Sequence, residues 1–172
     1  MAATYDVIAS YTFPSSLTSY QFSSIPNTYD DLVITMNFNP ATGSNTSLWF
    51  QYGFSGTLVT SGYTTILYYS NGSASAAEAT TSDTIGYLNG QGIGTSTDKS
   101  GYIFHINQYK NTVMNKSAIN YGGNPTSTTS SVQTTGVTTL SNTGVIDTIK
   151  IFSGTTNFAA GTVYTLYGIK EA

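Results

Sequence analysis

The sequence has no cysteine, a single histidine and a single tryptophan among its 172 residues. Without cysteine the chain can form neither a disulfide framework nor a thiolate metal site, so its stability is expected to come from packing alone. Because His105 is the sole imidazole, a Ser-His-Asp arrangement would have to be built around it. A histidine that points out of a strand, or is hydrogen-bonded within one, is the simpler interpretation.

Charge is also scarce, at 8% of residues against about 25% in ordinary soluble domains. All five basic residues are lysines, and the formal net charge is −3. Nucleic-acid binding is not expected, since it needs clustered cations and relies on arginine to read bases. No apolar run approaches the roughly 20 residues of a membrane span, and "MAATYDVIASYTF" carries no signal-peptide pattern. We therefore expect no membrane partner, and a chain kept in the cytoplasm until assembly.

Acidic residues are few and poorly placed for catalysis. Asp30 and Asp31 are adjacent, so on a strand they face opposite ways and cannot share a proton. Glu78, Asp83 and Asp98 lack the spacing of a calcium loop. The segment "GQGIG" (90–94) is followed by neither a helix nor a basic residue, as a phosphate loop would require. We predict no enzymatic activity, and no catalytic, cofactor-binding or metal-binding residue; a glycan-degrading enzyme ranks far below the other functions.

Alternation with period two is the recurring pattern that is present, in a chain rich in Thr, Ser, Asn and 14 tyrosines. It predicts strands whose inward positions can be read directly. The predicted inward sets are Tyr5, Val7, Ala9, Tyr11 and Phe13; Leu32, Ile34, Met36 and Phe38; and Leu48, Phe50, Tyr52 and Phe54, with Trp49 and Gln51 opposite the last set.

Counting such segments gives roughly nine or ten strands, with weaker candidates at 85–88 and 131–137. The predicted fold class is all-β, a single-domain antiparallel β-sandwich of jelly-roll type over residues 1–172. For the Ala- and Ser-rich segment 71–83 a helical turn is one alternative, but Ser and Thr disfavour it and a long exposed loop is expected. For the hydroxyl-rich segment 124–144, disorder in the isolated chain and a solvent-facing strand pair both stay open.

Apolar residues on both faces of one strand indicate a second covered surface. In "YTTILYYS" (63–70), Ile66 and Tyr68 lie opposite Leu67 and Tyr69, so a neighbouring subunit or a loop is expected to cover the second face. Tyrosine suits protein interfaces and sugar-stacking surfaces, although it also simply completes sheet faces. The candidate interface residues are Trp49, Tyr63, Ile66, Tyr68 and Tyr69.

The closing segment "NFAAGTVYTLYGI" (157–169) predicts a turn at Gly161 with positive φ, followed by a strand that is apolar on both faces. Such a strand belongs inside a sheet, most simply beside the first strand.

This closing segment resembles the C-terminal signature of small all-β virion structural proteins of tailed bacteriophages, of the cyanophage and aquatic-phage type. The opening "YDVIASYTFPSSLTSYQFSSIPNTYDDLVITMNF" is similar to the opening of the same group, and the two ends cover about a third of the chain. The resemblance implies a virion context and no catalytic residue. The signature positions treated as structural are Pro26, Tyr29, Gly161, Leu166, Tyr167 and Gly168.

Two roles in a virion follow from the resemblance. The favoured one is a capsid decoration (cement) protein that stabilises the shell, binds the major capsid protein and self-associates, on analogy, as a homotrimer. It would lie on the virion surface after synthesis in the host bacterial cytoplasm. The alternative is a tail-fibre or receptor-binding module that docks host surface glycans. Neither role needs a cofactor.

Overall fold

The computed structural model describes residues 4–38, 47–89, 99–127, 130–154 and 156–170. Within these ranges the chain forms strands and turns and no helix, and therefore contains no helix that spans a membrane. The thirteen strands are β1 (Thr4–Thr12), β2 (Ser19–Phe22), β3 (Asp31–Phe38), β4 (Leu48–Phe54), β5 (Thr57–Leu58), β6 (Tyr63–Ser70), β7 (Ser75–Asp83), β8 (Gly86–Tyr87), β9 (Ser100–Asn107), β10 (Lys116–Ser127), β11 (Ser130–Leu140), β12 (Thr148–Ser153) and β13 (Val163–Lys170). The all-β prediction is confirmed, with more strands than the nine or ten expected.

Two antiparallel sheets pack face to face as a sandwich. The larger has the order β1-β13-β3-β9-β10-β11-β6-β7; the smaller has the order β2-β12-β4-β5, with β8 also paired to β4. The sandwich prediction is therefore confirmed, whereas the jelly-roll topology is not. The segment "GQGIG" and Asp98 lie outside the described residues.

The core between the sheets is strongly aromatic. Phe50 of β4 lies 4.5 Å from Phe104 of β9, ring centre to ring centre, and Tyr63 lies edge-on to Phe50. The Tyr63 hydroxyl accepts a 2.7 Å hydrogen bond from the backbone N–H of Tyr52. The inward positions predicted for β3 and β4 are confirmed for every side chain described, with Phe54 packed at the edge of the core; the side chain of Phe38 lies outside the described part.

The closing strand takes the place that its two apolar faces predict. β13 lies between β1 and β3, so that Tyr164 pairs with Tyr11 on one side and Leu166 with Ile34 on the other. Gly161 has φ of 83° in the turn that precedes it. Both predictions for this segment are confirmed.

The first strand departs from simple alternation. A β-bulge between Val7 and Ala9 adds one residue and changes the face on which later side chains lie. Tyr5 and Val7 are consequently exposed, at 61% and 62%, whereas Tyr11 packs against the core and Phe13 is buried. The prediction that all five odd-numbered residues share one face was therefore wrong for Tyr5 and Val7.

The segment expected to be a loop, 71–83, is mostly strand β7, which pairs with β6. A compact turn joins the two strands, because Asn71 Oδ1 accepts hydrogen bonds from the backbone N–H groups of Ser73 and Ala74. The loop prediction was wrong because pairing with β6 outweighs the weak strand propensity of Ala and Ser. For segment 124–144, the strand-pair alternative is the one observed, as β10 and β11.

Candidate interaction surface

The outer face of the eight-stranded sheet, directed away from the smaller sheet, carries two rows of side chains in cross-strand register. The first row is Ala79, Ile66, Val137, Ile119, His105, Val33, Tyr167 and Val7. The second row is Ala77, Tyr68, Thr135, Tyr121, Ile103, Thr35, Thr165 and Ser10. Each row crosses the whole sheet.

Large apolar side chains are concentrated in the middle of these rows. Ten large hydrophobic residues are exposed in the described part of the chain, and all but Val113 and Met114 lie on the outer face. Six of them occupy four adjacent strands, β9, β10, β11 and β6, which together span about 15–20 Å. We call this set the central patch: Ile66, Tyr68, Ile103, Ile119, Tyr121 and Val137, each 47–60% exposed. A contiguous exposed apolar patch is typical of a surface that binds another macromolecule.

A hydrogen-bonded histidine–aspartate pair borders the central patch. His105, next to Ile119 in the first row, lies with Nε2 2.9 Å from Asp31 Oδ2. Asp31 also accepts the backbone N–H of Gln108 at 2.7 Å, whereas Asp30 pairs with Lys110 at 2.8 Å. His105 points out of β9 and is hydrogen-bonded to the neighbouring strand β3, in line with the simpler interpretation, and the two aspartates have different partners. The outer face therefore has an apolar centre with a hydrogen-bonded His105–Asp31 pair beside it.

The predicted interface residues fall in three environments. Ile66 and Tyr68 belong to the central patch, whereas Tyr69 is half-buried on the other face of β6 and donates a hydrogen bond to Glu78. Tyr63 is fully buried in the core. Its assignment to an interface was wrong, because the side chain has no surface left to offer a partner.

Trp49 lies on the outward face of the smaller sheet. Its ring contacts Phe152 and Tyr87 edge to face, at 5.7 and 6.1 Å, and covers the backbone at Gly154. These neighbours leave the indole half-buried. Its participation in an interface stays a prediction.

The signature residues from the two ends of the chain meet in space. The Tyr29 ring lies on the backbone of Gly168, with Lys170 Nζ 5.2 Å above it. Pro26 O accepts a hydrogen bond from the buried Tyr109, whose hydroxyl also accepts the N–H of Tyr29. Tyr167 contacts Tyr5 on the outer face, and Leu166 is buried in the core. These contacts are structural, and they pack the turn at 26–29 against the last strand.

Four residues of the central patch escaped the sequence analysis: Ile103, Ile119, Tyr121 and Val137. Two-sided apolarity could have identified the residues on β9 and β10, because "GYIFHINQY" and "NTVMNKSAINY" carry apolar residues on both faces, as "YTTILYYS" does. Strand adjacency could not be read in the same way. Only the register of β9, β10, β11 and β6 unites these residues into one surface.

The outer face presents apolar side chains and no cluster of metal-binding residues among those described. Within the described ranges no group of three or more His, Cys, Asp or Glu residues could hold a metal ion. Burial raises the pKa of Tyr63 and Tyr102 to about 12, but both side chains belong to the core. Comparisons with protein-family models, curated proteins and solved structures found no match to this chain.

Proposed function

We propose that this chain is a non-enzymatic structural protein of a tailed-phage virion, specifically a decoration (cement) protein that binds the capsid. The observation that carries the proposal is the central patch, an exposed apolar surface presented by four adjacent strands of one sheet. The resemblance of both chain ends to phage virion proteins supports the virion context. The jelly-roll type of the sandwich stays a prediction.

The mechanism is adhesion. Copies on the virion surface, arranged as trimers, would lay the outer face against neighbouring subunits of the major capsid protein, after synthesis in the host cytoplasm. Because each copy binds only the assembled lattice, its binding free energy adds to the stability of that lattice by mass action. With five lysines and eight acidic residues in the whole chain, electrostatic steering contributes little, so binding should depend weakly on salt.

A second function, a tail-fibre or receptor-binding module for host glycans, is favoured by one observation. A groove of about 420 Å³ lies at the β6–β7 end of the outer face, bounded by Tyr68, Tyr121 and Gln133. Tyrosine rings and an amide are suited to stack on a sugar ring and bond to its hydroxyls. This alternative predicts few copies per particle.

Copy number and capsid binding test the proposal together. We expect hundreds of copies per virion by quantitative gel or cryo-electron microscopy, and saturable binding to undecorated capsids at a fixed ratio. Ile119→Lys, at the centre of the patch, should weaken binding at least tenfold, or about 1.4 kcal/mol. Thr57→Lys, at an exposed position of the smaller sheet, is the matched control. A few tens of copies at the tail, with binding to host glycans, would reject the decoration role.

A further inference from the structure

The edge strand β7 has one side of its backbone unpaired. Among the described strands it pairs with β6 alone, and each residue from Ser75 to Ala79 is exposed. A free row of N–H and C=O groups in extended conformation is complementary to another extended backbone, and natural sheets usually protect such an edge with a bulge, a proline or a charge. This edge therefore has the geometry to accept one more strand.

The opposite edge of the same sheet is better protected than β7. The edge strand there is β1, which is interrupted near its middle by the bulge between Val7 and Ala9. In β7 the register with β6 is unbroken from Ser75 to Thr80. This segment contains neither proline nor lysine, and its side chains are small except that of Glu78. Of the two edges of the large sheet, β7 is thus the one open to pairing.

The hairpin turn determines which residues of β7 face the free edge. The N–H of Asn71 donates to Ala74 O at 3.0 Å, so these two residues form a hydrogen-bonded pair. Bonded and non-bonded pairs alternate along an antiparallel ladder, so Ala76 and Glu78 direct their backbone groups to β6. The residues that direct N–H and C=O outwards are Ser75, Ala77 and Ala79.

The charge of β7 restricts which strand can pair with it. Its charged residues, Glu78 and Asp83, are both acidic. The other edge strand of the large sheet, β1, carries Asp6 and no basic residue, and the edge strands β2 and β5 of the smaller sheet are only four and two residues long. A second copy therefore offers no basic residue to pair with Glu78, and like charges opposite each other on neighbouring strands are destabilising. The complementary occupant is an uncharged or basic strand of a different protein.

A groove beside β7 gives an added strand a side-chain contact. The groove of about 420 Å³ described above reaches β7 at Ala77, which pairs with Tyr68 of β6. A strand added at the free edge would lie about 4.8 Å beyond β7. Because alanine is small, a long apolar side chain of that strand lies across Ala77 and packs against the ring of Tyr68, which is 60% exposed. In strand addition, backbone hydrogen bonds supply affinity and such a groove supplies specificity.

We propose that β7 takes up an extended, uncharged or basic segment of the major capsid protein as an added strand of the large sheet. The inference rests on the proposed decoration role and deepens it, because it assigns the mode of binding. The outer-face side chains of the added segment would extend the second row beyond Ala77, next to Tyr68 of the central patch. Edge and patch thereby form one continuous contact, apolar in the middle and hydrogen-bonded through the backbone at its border.

The first test changes the backbone of the free edge at one position. Ala77→Pro removes an N–H that is directed outwards, and the proline ring blocks the approach of another strand while the ladder with β6 is kept. Ala77→Ser is the matched control, because it keeps the N–H at the same exposed position. In saturation binding to undecorated capsids, Ala77→Pro should weaken binding at least about tenfold and Ala77→Ser less than about twofold. Both variants should keep the circular dichroism spectrum of the wild type.

Hydrogen exchange measures the same contact in the unmodified protein, so it does not depend on how a variant folds. In the free chain the amides of Ala77 and Ala79 have no acceptor among the described residues and should exchange fast, whereas those of Ala76 and Glu78 are bonded to β6. On the capsid, exchange at Ala77 and Ala79 should slow at least about tenfold.

The outcomes separate this inference from the decoration role. Slower exchange at Ala77 and Ala79, together with loss of binding in Ala77→Pro alone, is the expected result. If the wild type binds capsids but Ala77→Pro binds as well as Ala77→Ser, or exchange at Ala77 and Ala79 does not change, strand addition is overturned and the decoration role stands. If the wild type binds no capsid, both fail. A wild-type dimer in sedimentation velocity that Ala77→Pro abolishes would make a second copy the occupant and would also overturn the proposal.

Discussion

Gly168→Ala should destabilise the protein because of one aromatic ring. An ideal Cβ at this position would lie 2.2 Å from Cγ of Tyr29 and 2.4 Å from both Cδ atoms, whereas ordinary contacts begin at 3.4 Å. The ring must therefore retreat by about 1 Å, away from the Lys170 amine above it. Overpacking of this kind costs about 1–3 kcal/mol, and loss of the cation–π contact adds about 0.5–1 kcal/mol.

We accordingly expect the free energy of unfolding to fall by about 1.5–4 kcal/mol, measured by urea denaturation followed by circular dichroism. In a domain of this size that corresponds to a melting temperature lower by roughly 3–16 °C. The matched control is Gly101→Ala in β9, because a Cβ there meets nothing within 4 Å. Its effect should stay within about 0.5 kcal/mol.

A double-mutant cycle identifies the ring as the cause. In a Tyr29→Ala background the clash is absent, so Gly168→Ala should be neutral, or stabilising by about 0.4–1 kcal/mol through the lower entropy of the unfolded chain. If Gly168→Ala costs as much in that background as in the wild type, or no more than Gly101→Ala in the wild type, the packing argument is refuted.

The buried tyrosines give two further predictions. Tyr164→Phe removes a buried hydroxyl with no hydrogen-bond partner in the described part of the chain, so the free energy of unfolding in urea should stay equal or rise by up to about 1 kcal/mol; Tyr63→Phe removes a hydroxyl bonded to Tyr52 N and Val59 O and should cost about 1–2 kcal/mol. The reverse order would contradict this assignment. Burial also raises the pKa of Tyr52, Tyr63, Tyr102 and Tyr164, to about 12 for Tyr63 and Tyr102, whereas an unfolded tyrosine ionises near pH 10. Above that pH the unfolded chain binds fewer protons, so stability should fall between about pH 10 and 12, by up to about 1.4 kcal/mol per pH unit for each tyrosine; equal urea midpoints at pH 9 and pH 11 would exclude this.

The sequence predicted well wherever local alternation decides which side chains are buried. β3 and β4 bury their predicted residues because strict period two leaves one apolar face. The bulge after Val7 could not be foreseen in this way, since an inserted residue is specified by the pairing of β1 with β13 and leaves no pattern of its own. β7 was missed for a related reason, because its Ala and Ser residues become a strand only through β6.

The same limit applies to the candidate surfaces. Two-sided apolarity located Ile66 and Tyr68 but wrongly included Tyr63, which occupies the inward position of the same strand. The central patch needs four strands in register. Two neighbours among them, β6 and β11, are separated in sequence by more than fifty residues. Val113 and Met114 are exposed on a turn that Asn111 and the buried Lys116 hold by hydrogen bonds, and composition does not reveal these contacts.

The position of β13 also has consequences for the order of folding. Among the described strands, β1 pairs with β13 alone, and the hydroxyls of Ser10 and Thr165, 2.9 Å apart in the fold, are separated by 155 positions in the chain. During synthesis on a ribosome, β1 emerges early and must wait for the thirteenth strand, while β3 is left with an open edge that can pair with other nascent chains. Contacts of such high sequence separation fold slowly, on a timescale of milliseconds to seconds or longer. We therefore expect the yield of native protein in a crowded cell to depend on two competing rates, that of β13 pairing with β3 and that of aggregation at the same edge.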